Sequence, residues 1–158
     1  MPEPSQDKMW TPELRHFGIV VRDLEASMNM YRDIMGIEEW QILDSREAGV
    51  TDTTYHGKPV KHRFRVGITN MGPVRLELIQ PVEGDNICRD FLEEQGQGLH
   101  HVGHIWVKNM DEAIKAFQEQ GFPCLQTGRL PAGRWAYIDM TDKLGIIAEC
   151  AQPTQVRY

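Results

Sequence analysis

The chain has 158 residues, of which 41% are hydrophobic and 25% are charged, and its formal net charge is −6 at pH 7. This length suits one domain, or two half-size units that share a core, and the acidic charge argues against nucleic acid as a general partner. The apolar runs fall well short of the roughly eighteen residues that a membrane-spanning helix needs, so no membrane span is predicted.

Residues 1–12 lack the basic and apolar regions of a secretion signal and are predicted to form a flexible tail. One domain is then predicted over residues 13–152. Its first element is a buried strand over Leu14–Val21, which is rich in β-branched and apolar residues. Asp23 is a typical helix N-cap and Gly36 is a typical left-handed C-cap residue, so a helix is predicted between them.

Three more strands are predicted in the first half: Ile37–Leu43, Lys61–Ile68 and Val74–Gln80. The segment Asp44–Pro59 is polar and rich in turn residues, and we predict that it is a long surface loop covering part of the domain. Glu77 stands between two leucines in the middle of the last strand. Together these elements make one βαβββ unit over about residues 13–81.

A short linker helix is predicted over about residues 85–95, and a second unit over about residues 98–151 repeats the plan of the first. The repeat begins with a histidine-bearing strand, followed by a helix with Asn109 or Asp111 as its N-cap. Three strands complete it: Phe122–Thr127, Trp135–Asp139 and Gly145–Cys150. The predicted fold class is therefore α+β, with two tandem βαβββ units that form one curved mixed sheet.

Each unit places a histidine near the start of its first strand and a glutamate in its last strand. These residues are His16 and Glu77 in the first unit, and His101 and Glu149 in the second. If a pseudo-twofold axis relates the two halves, the four side chains converge on the concave face. Two imidazoles and two carboxylates suit a divalent transition ion such as Co²⁺, Ni²⁺, Zn²⁺, Mn²⁺ or Fe²⁺. The sequence therefore predicts a metal-binding cavity.

Other interpretations of these four residues stay open. A carboxylate between apolar residues is usually the solvent-facing position of a strand, and a single strand histidine is usually a hydrogen-bonded structural residue. The histidine and the helix cap are seven residues apart in the first unit and eight in the second. Either a β-bulge absorbs the extra residue, or His100 or His104 replaces His101 as the ligand. We favour His101, because Gly103 then matches Gly18 in the first unit.

Four segments of the chain resemble the vicinal oxygen chelate superfamily, which includes glyoxalase I, methylmalonyl-CoA epimerase, extradiol dioxygenases and fosfomycin-resistance proteins. The segments are Leu14–Leu24, Leu76–Pro81, Gly98–Gly103 and Gly145–Glu149. The second and third look most similar to the methylmalonyl-CoA epimerase members. The resemblance covers nearly everything from about Leu14 to Ala151, and it implies the same paired units around a metal-binding cavity.

The resemblance to the epimerases also implies a catalytic glutamate in a Glu-x-Gly-Val segment, and Glu47–Val50 matches that pattern. An apparent insertion over Thr51–Pro59 follows, where the epimerases pass almost directly into a strand. The substrate side of the cavity is therefore expected to differ. Glu47 also has a simple interpretation as a loop carboxylate.

Four ligands on a six-coordinate ion leave two adjacent positions for two oxygens of one substrate. The ion would then acidify the carbon between those oxygens, and a carboxylate would move the proton. We therefore predict a metal-dependent epimerase, isomerase or lyase with Glu149 and Glu47 as catalytic residues, acting on an acyl-CoA such as methylmalonyl-CoA. The alternatives are an Fe(II)-dependent ring-cleaving dioxygenase and a non-catalytic small-molecule binding or resistance protein.

Two sets of residues bear on how a ligand would bind. The basic set is Lys58, Lys61, Arg63 and Arg65. It predicts either a solvated strand face or a dock for an anionic group such as the phosphates of coenzyme A. The aromatic set is Trp40, Trp106 and Trp135. These side chains are ordinary core residues or, if the protein only binds its ligand, the walls of a stacking pocket.

Edge strands of the predicted sheet favour self-association, so we predict a homodimer that binds a small molecule with two chelating oxygens. Neither nucleic acid nor a membrane is an expected partner. Cys88, Cys124 and Cys150 are far apart and form no CxxC pattern, which favours a cytoplasmic protein with free thiols.

Overall fold

The computed structural model describes residues 9–154, apart from the side chain of His104. Over these residues the chain forms ten strands and four helices. The strands are β1 (Trp10–Val20), β2 (Gln41–Asp44), β3 (Thr51–Tyr55), β4 (Lys58–Pro59), β5 (Arg63–Met71), β6 (Val74–Glu83), β7 (Gly98–Val107), β8 (Cys124–Leu130), β9 (Gly133–Met140) and β10 (Ile146–Pro153). The helices are α1 (Leu24–Met35), α2 (Ile87–Gln95), α3 (Met110–Glu119) and α4 (Thr141–Leu144).

The ten strands join one mixed sheet in the order β2-β5-β6-β1-β7-β10-β9-β8-β3-β4. β1 pairs in parallel with β6, and β7 pairs in parallel with β10, while the other neighbours are antiparallel. Apart from β3 and β4, the order is the same from either end, because β2-β5-β6-β1 corresponds to β8-β9-β10-β7. A pseudo-twofold axis therefore lies between β1 and β7. The predicted α+β fold with tandem units in one curved sheet is confirmed.

The helices form where the sequence supplies their end signals. The Asp23 side chain accepts a hydrogen bond of 2.9 Å from the Ala26 N–H, and Gly36 closes α1 with a φ of 69°, as predicted. At α3 the N-cap is Asn109 rather than Asp111. Within the described part of the chain, no helix is both long enough and apolar enough to span a bilayer.

Successive side chains of β6 point alternately to the core beneath the helices and to the concave face of the sheet. Leu76 and Leu78 are fully buried and pack with Leu24 of α1. Glu77 and Ile79 point the other way and line a cavity, since successive strand residues face opposite sides. The mid-strand position of Glu77 is therefore on the concave face and not on the outer surface of the sheet.

The predicted long loop over Asp44–Pro59 is wrong, because this segment contains the β3–β4 hairpin. His56 and Gly57 form its turn, and their φ angles of 47° and 76° are typical of a two-residue type I′ turn. β3 pairs with β8 of the second half, with Thr54 opposite Thr127. The β-branched residues of β3 thus find their partner strand more than seventy residues away along the chain.

The same hairpin curls the sheet. Six residues, 45–50, connect β2 at one end of the sheet to β3 near the other end, and such a connection spans at most roughly 25 Å. The two ends of the sheet are therefore close, and the sheet wraps around an interior. Buried residues from both halves pack there: Val20, Val66, Ile79, Ile87, Cys88, Trp135 and Tyr137.

Several strands extend beyond their predicted boundaries, and β1 and β6 show the physical reason. β1 begins at Trp10, which pairs with β7, so residues 10–12 belong to a strand and not to the predicted tail, while residues 1–8 lie outside the described part. β6 continues past Pro81. Its pairing with β1 ends at Ile79, so proline removes no ladder hydrogen bond on that side.

Candidate metal centre

The pairing of β1 with β7 sets each predicted histidine opposite a glycine. His16 pairs with Gly103, and His101 pairs with Gly18. A Cβ atom built on Gly103 would lie 2.3 Å from His16 Cε1, and one on Gly18 would lie 2.1 Å from His101 Cε1. The glycine of each half therefore makes room for the imidazole of the other half, which explains the matching pattern in the sequence.

The two imidazoles and one carboxylate converge at the pseudo-twofold axis. His16 Nε2 is 3.1 Å from His101 Nε2, and each of these nitrogens is 3.4 Å from Glu149 Oε2. Ligands bound about 2.1 Å from one ion lie roughly 3.0–3.4 Å apart in octahedral or tetrahedral geometry. The spacing of these buried donors therefore fits a first-row divalent ion.

Glu77 lies at the edge of this cluster, beside β1. Its Oε2 is 3.9 Å from His16 Nε2, and its Oε1 is 3.4 Å from Arg75 Nε. The three ligand atoms that lie within 4.8 Å of one another belong to His16, His101 and Glu149. The structure thus brings all four predicted ligands to one place, with three in a tight group and Glu77 shared between that group and Arg75.

The electrostatics of the cluster favour a cation. Burial by itself would lower the pKa of His16, but the hydrogen bond to Glu149 and the charges of Glu149 and Glu77 outweigh burial and raise it. Burial first, and then the charge of Glu149, raise the pKa of Tyr137 well above its ordinary range. The Tyr137 hydroxyl therefore keeps its proton, and Tyr137 lies opposite Glu149 on the neighbouring strand.

His100 lies behind the cluster and not in it. The register of β7 against β1 shifts between Leu99 and His101, so His100 is the extra residue of a β-bulge and its side chain is buried next to that of His101. Its Nδ1 lies 3.0 Å from Nδ1 of His101, and burial lowers its pKa to about 4. The neutral imidazole of His100 therefore supports His101 at the Nδ1 edge of its ring, on the side away from the cluster.

Of the two alternatives for the longer spacing between the second histidine and its helix cap, the structure shows the β-bulge. The register of β7 against β10 shifts between Gly103 and Ile105, which absorbs the eighth residue of that spacing. The side chain of His104, the third histidine considered, lies outside the described residues.

A cavity of about 370 Å³ opens beside the cluster. Its walls come from both halves of the sheet and are mainly apolar: Leu43, Phe64, Val66, Ile68, Ile79, Leu130 and Trp135. His16, Glu77 and Glu149 line it on the side of the cluster. A small organic molecule that reaches the cluster would therefore leave water and contact apolar side chains.

Six polar residues that line this cavity were not predicted as site residues: Arg75, Asn86, Gln126, Arg134, Tyr137 and Gln152. Arg75 stands two positions before Glu77, so strand alternation was a usable signal for it. Tyr137 lies directly opposite Glu149, and Gln126 lies opposite Tyr137. Only the pairing of β8, β9 and β10 reveals Tyr137 and Gln126.

Glu47, the predicted catalytic glutamate of the first half, is not brought to the cluster. It is exposed in the turn after β2 and is not among the residues that line the cavity. In the predicted basic set, Arg63 Nη2 is 2.6 Å from Asp44 Oδ2, and Arg65 Nη2 is 2.6 Å from Glu25 Oε1. These ion pairs favour a solvated strand face over a dock for anions.

The predicted aromatic set is divided. Trp106 and Trp135 line the cavity, whereas Trp40 packs against Tyr31 of α1 with its ring centre 5.9 Å away. The three cysteines are free thiols, as predicted.

The chain is similar to several known proteins. A family model described as the Glyoxalase/Bleomycin resistance protein/Dioxygenase superfamily matches residues 15–138. The uncharacterized protein YqjC of Bacillus subtilis is 25% identical over 146 residues, which cover 89% of this chain and 91% of that protein. The mitochondrial methylmalonyl-CoA epimerase of Mus musculus is 29% identical over 102 residues, or 64% of this chain. The chain spans about half the length of that epimerase, since the match covers 49% of it.

Solved structures share the fold. A methylmalonyl-CoA epimerase variant from Streptomyces coelicolor, in complex with 2-nitronate-propionyl-CoA, superposes with a TM-score of 0.62 at 22% identity. The superposition covers 92% of this chain and 97% of that one. A hypothetical protein from Bacillus halodurans superposes with a TM-score of 0.63 at 18% identity, over 96% of this chain and 99% of that one.

Proposed function

Because the chain belongs to the glyoxalase/bleomycin resistance protein/dioxygenase superfamily, also called the vicinal oxygen chelate superfamily, we propose that it is a metal-dependent enzyme that transfers a proton next to a carbonyl group. The reaction is an epimerisation, an isomerisation or a lyase step. The observation that carries this proposal is the cluster of His16, His101 and Glu149 at the pseudo-twofold axis, beside a mainly apolar cavity.

The proposed ligands of one divalent transition ion, drawn from Co, Ni, Zn, Mn and Fe, are His16, Glu77, His101 and Glu149. The nitrogen and oxygen donors suit such an ion, and their spacing supports the assignment. When bound, the ion would act as a Lewis acid on two oxygens of one substrate and acidify the carbon between them.

Glu149 is the proposed proton carrier, because it lines the cavity at the cluster and lies opposite the protonated Tyr137. A substrate that fills the apolar cavity would exclude water from this carboxylate. Glu47 is the second proposed proton carrier. Since Glu47 is exposed in the turn after β2, it acts only if that turn folds over the cavity mouth when substrate binds.

The proposed substrate is a small molecule with two chelating oxygens. Methylmalonyl-CoA is the first compound to test, because the mouse relative is named for it and the Streptomyces structure holds an acyl-CoA analogue. Arg63 and Arg65 of β5 each pair with a carboxylate, so β5 presents no concentrated basic patch to a phosphate group. A smaller thioester or a free acid is therefore to be tested beside it.

A dioxygenase reaction is the second candidate, favoured by one observation. The tight group contains two histidines and one carboxylate, which is the ligand set that non-haem Fe(II) oxygenases use. Glu77, 3.9 Å from His16, decides between the two reactions: as a fourth ligand it leaves less room for both a substrate and oxygen.

Metal analysis of the purified protein tests the ligand set. One equivalent of a divalent transition ion is expected in the wild type, and a His16→Ala, His101→Ala double variant should lose it. His56→Asn is the matched control, because His56 is exposed in the β3–β4 turn and asparagine tolerates its positive φ. Unchanged stoichiometric binding in the double variant would sink the proposal.

The reaction is tested by proton NMR in D₂O with methylmalonyl-CoA, with and without a chelator. Metal-dependent loss of the α-proton signal is expected, and Glu149→Gln should slow it strongly. Glu47→Gln measured in parallel decides whether the second carboxylate takes part. Oxygen uptake with a catechol and Fe²⁺, without proton exchange, would replace the proposal by the dioxygenase. Tight ligand binding without either reaction would indicate a binding protein.

A further inference from the structure

Three polar side chains form a row across the second half of the sheet, on its concave face. Gln126 of β8 lies opposite Tyr137 of β9, which lies opposite Glu149 of β10. All three are buried, with 3%, 8% and 8% of their surface exposed, respectively, and all line the cavity. Neighbouring strands are about 4.8 Å apart, so Gln126 is roughly 10 Å from the metal cluster across the sheet.

The orientation of the Gln126 amide is fixed by α2. Its Oε1 accepts a hydrogen bond of 3.0 Å from the N–H of Ile87, the first residue of α2. Since a backbone N–H bonds to an oxygen and not to an NH₂ group, the amide nitrogen must occupy the other position. Over the described residues, Gln126 Nε2 makes no hydrogen bond, and the Gln126 side chain lines the cavity.

An amide donor inside a mainly apolar cavity is costly unless something accepts from it, because a buried polar group without a partner loses its hydration. Other polar residues of the lining already have partners. Asn86 caps α2 and donates to the Gly84 carbonyl, and Arg134 binds Asp111 through two hydrogen bonds. The positive end of the nine-residue helix α2 adds to the attraction for a negative oxygen beside Gln126.

From this geometry we infer that Gln126 binds an oxygen of the substrate, a carbonyl or a carboxylate, at the end of the cavity remote from the metal cluster. The substrate class is then a molecule with a chelating head, an apolar middle and a distal acceptor oxygen. The apolar middle would contact apolar side chains of the cavity lining, such as Phe64, Val66 and Trp135. This inference rests on the proposed metal site.

Hydroxamates test whether Gln126 binds a distal oxygen, because the hydroxamate group chelates a metal through two oxygens and provides the chelating head. The probes are alkyl hydroxamates of increasing chain length, each made with a terminal methyl group and with a terminal carboxylate. Binding to the Co²⁺-loaded protein is followed by the visible spectrum of the ion and by calorimetry. At the chain length that reaches Gln126, the carboxylate probe should bind roughly three- to tenfold more tightly than its methyl partner.

Two variants separate recognition from folding. Gln126→Leu removes the donor and should abolish the gain while the methyl probes still bind. Gln126→Glu keeps an acceptor for the Ile87 N–H and is the less disruptive change; at neutral pH it should reject the carboxylate probe. Equal binding of both probes at every length, or a gain that persists in Gln126→Leu, would overturn the inference. If the wild type takes up no Co²⁺, the metal site itself is refuted; if the loaded wild type binds no hydroxamate, only the inference about Gln126 fails.

Discussion

Replacing Gly103 with alanine should remove His16 from the metal cluster while the sheet stays folded. The new Cβ would lie 2.3 Å from His16 Cε1 and 2.6 Å from its Nε2. Non-bonded carbon atoms approach to about 3.5 Å, so the imidazole must move by roughly 1 Å or more. Gly18→Ala should have the same effect on His101, whose Cε1 would be 2.1 Å from the new atom.

The magnitude follows from two different tolerances. A core accommodates an added methyl group at a cost of about 1–3 kcal/mol, which a stable domain survives. A metal site accepts only about 0.2 Å of error in ligand distance. Metal affinity should therefore fall by at least roughly 100-fold, the upper end of the effect of misplacing a ligand's support, whereas the melting temperature of the metal-free protein falls only modestly.

Calorimetric titration with Co²⁺ measures the affinity, and thermal denaturation of the metal-free protein measures the cost in stability. Gly98→Ala is the matched control, because Gly98 is in the same strand and its Cβ would meet only Phe91, at 3.7 Å. This control should bind metal as the wild type does. If Gly103→Ala and Gly18→Ala also bind like the wild type, the two imidazoles do not hold the ion and the ligand assignment fails.

Three further outcomes are expected. His100→Leu should weaken metal binding by roughly 10–100-fold, whereas His100→Asn, whose amide oxygen can replace the Nδ1 acceptor, should retain it in the same titration. Burial raises the pKa of the Cys88 and Cys150 thiols to about 12. In the folded protein, iodoacetamide should therefore label them about a thousandfold more slowly than an exposed cysteine. Rapid labelling of the native protein would contradict this. The Arg63 guanidinium lowers the pKa of Asp44 below its ordinary value of 3.8. This pair therefore stabilises the fold above that pH, and its contribution is lost as the pH falls through the lowered pKa. The urea midpoint of unfolding should fall less steeply at acid pH in Asp44→Asn than in the wild type.

Assembly gives the last expected outcome. The outer strands β2 and β4 each have one unpaired edge, and symmetric pairing is the common way in which such chains associate. We expect a homodimer in sedimentation at micromolar concentration, and the mass of a single chain would contradict it.

Local patterns in the sequence determined helices α1, α2 and α3, the repeated unit and the position of the candidate ligands, whereas α4 was not predicted. Asp23 and Gly36 mark the two ends of α1 because capping involves only residues within one turn of the helix. His16 and Glu149 were found because both halves of the chain repeat the same pattern of strands. In each half that pattern marks a histidine in the first strand and a glutamate in the last. Periodicity of this kind depends on near neighbours, so it is visible in the chain itself.

Only the tertiary structure decided how distant strands pair. The β3–β4 hairpin was mistaken for a loop because its partner strand, β8, lies in the other half, and Glu47 consequently lies in an exposed turn. Tyr137 and Gln126 join the site through the pairing of β8, β9 and β10, and His100 enters the support of His101 through a bulge in β7. Strand pairing joins residues far apart in sequence, so its register is set by the packing of the whole sheet and not by any local pattern.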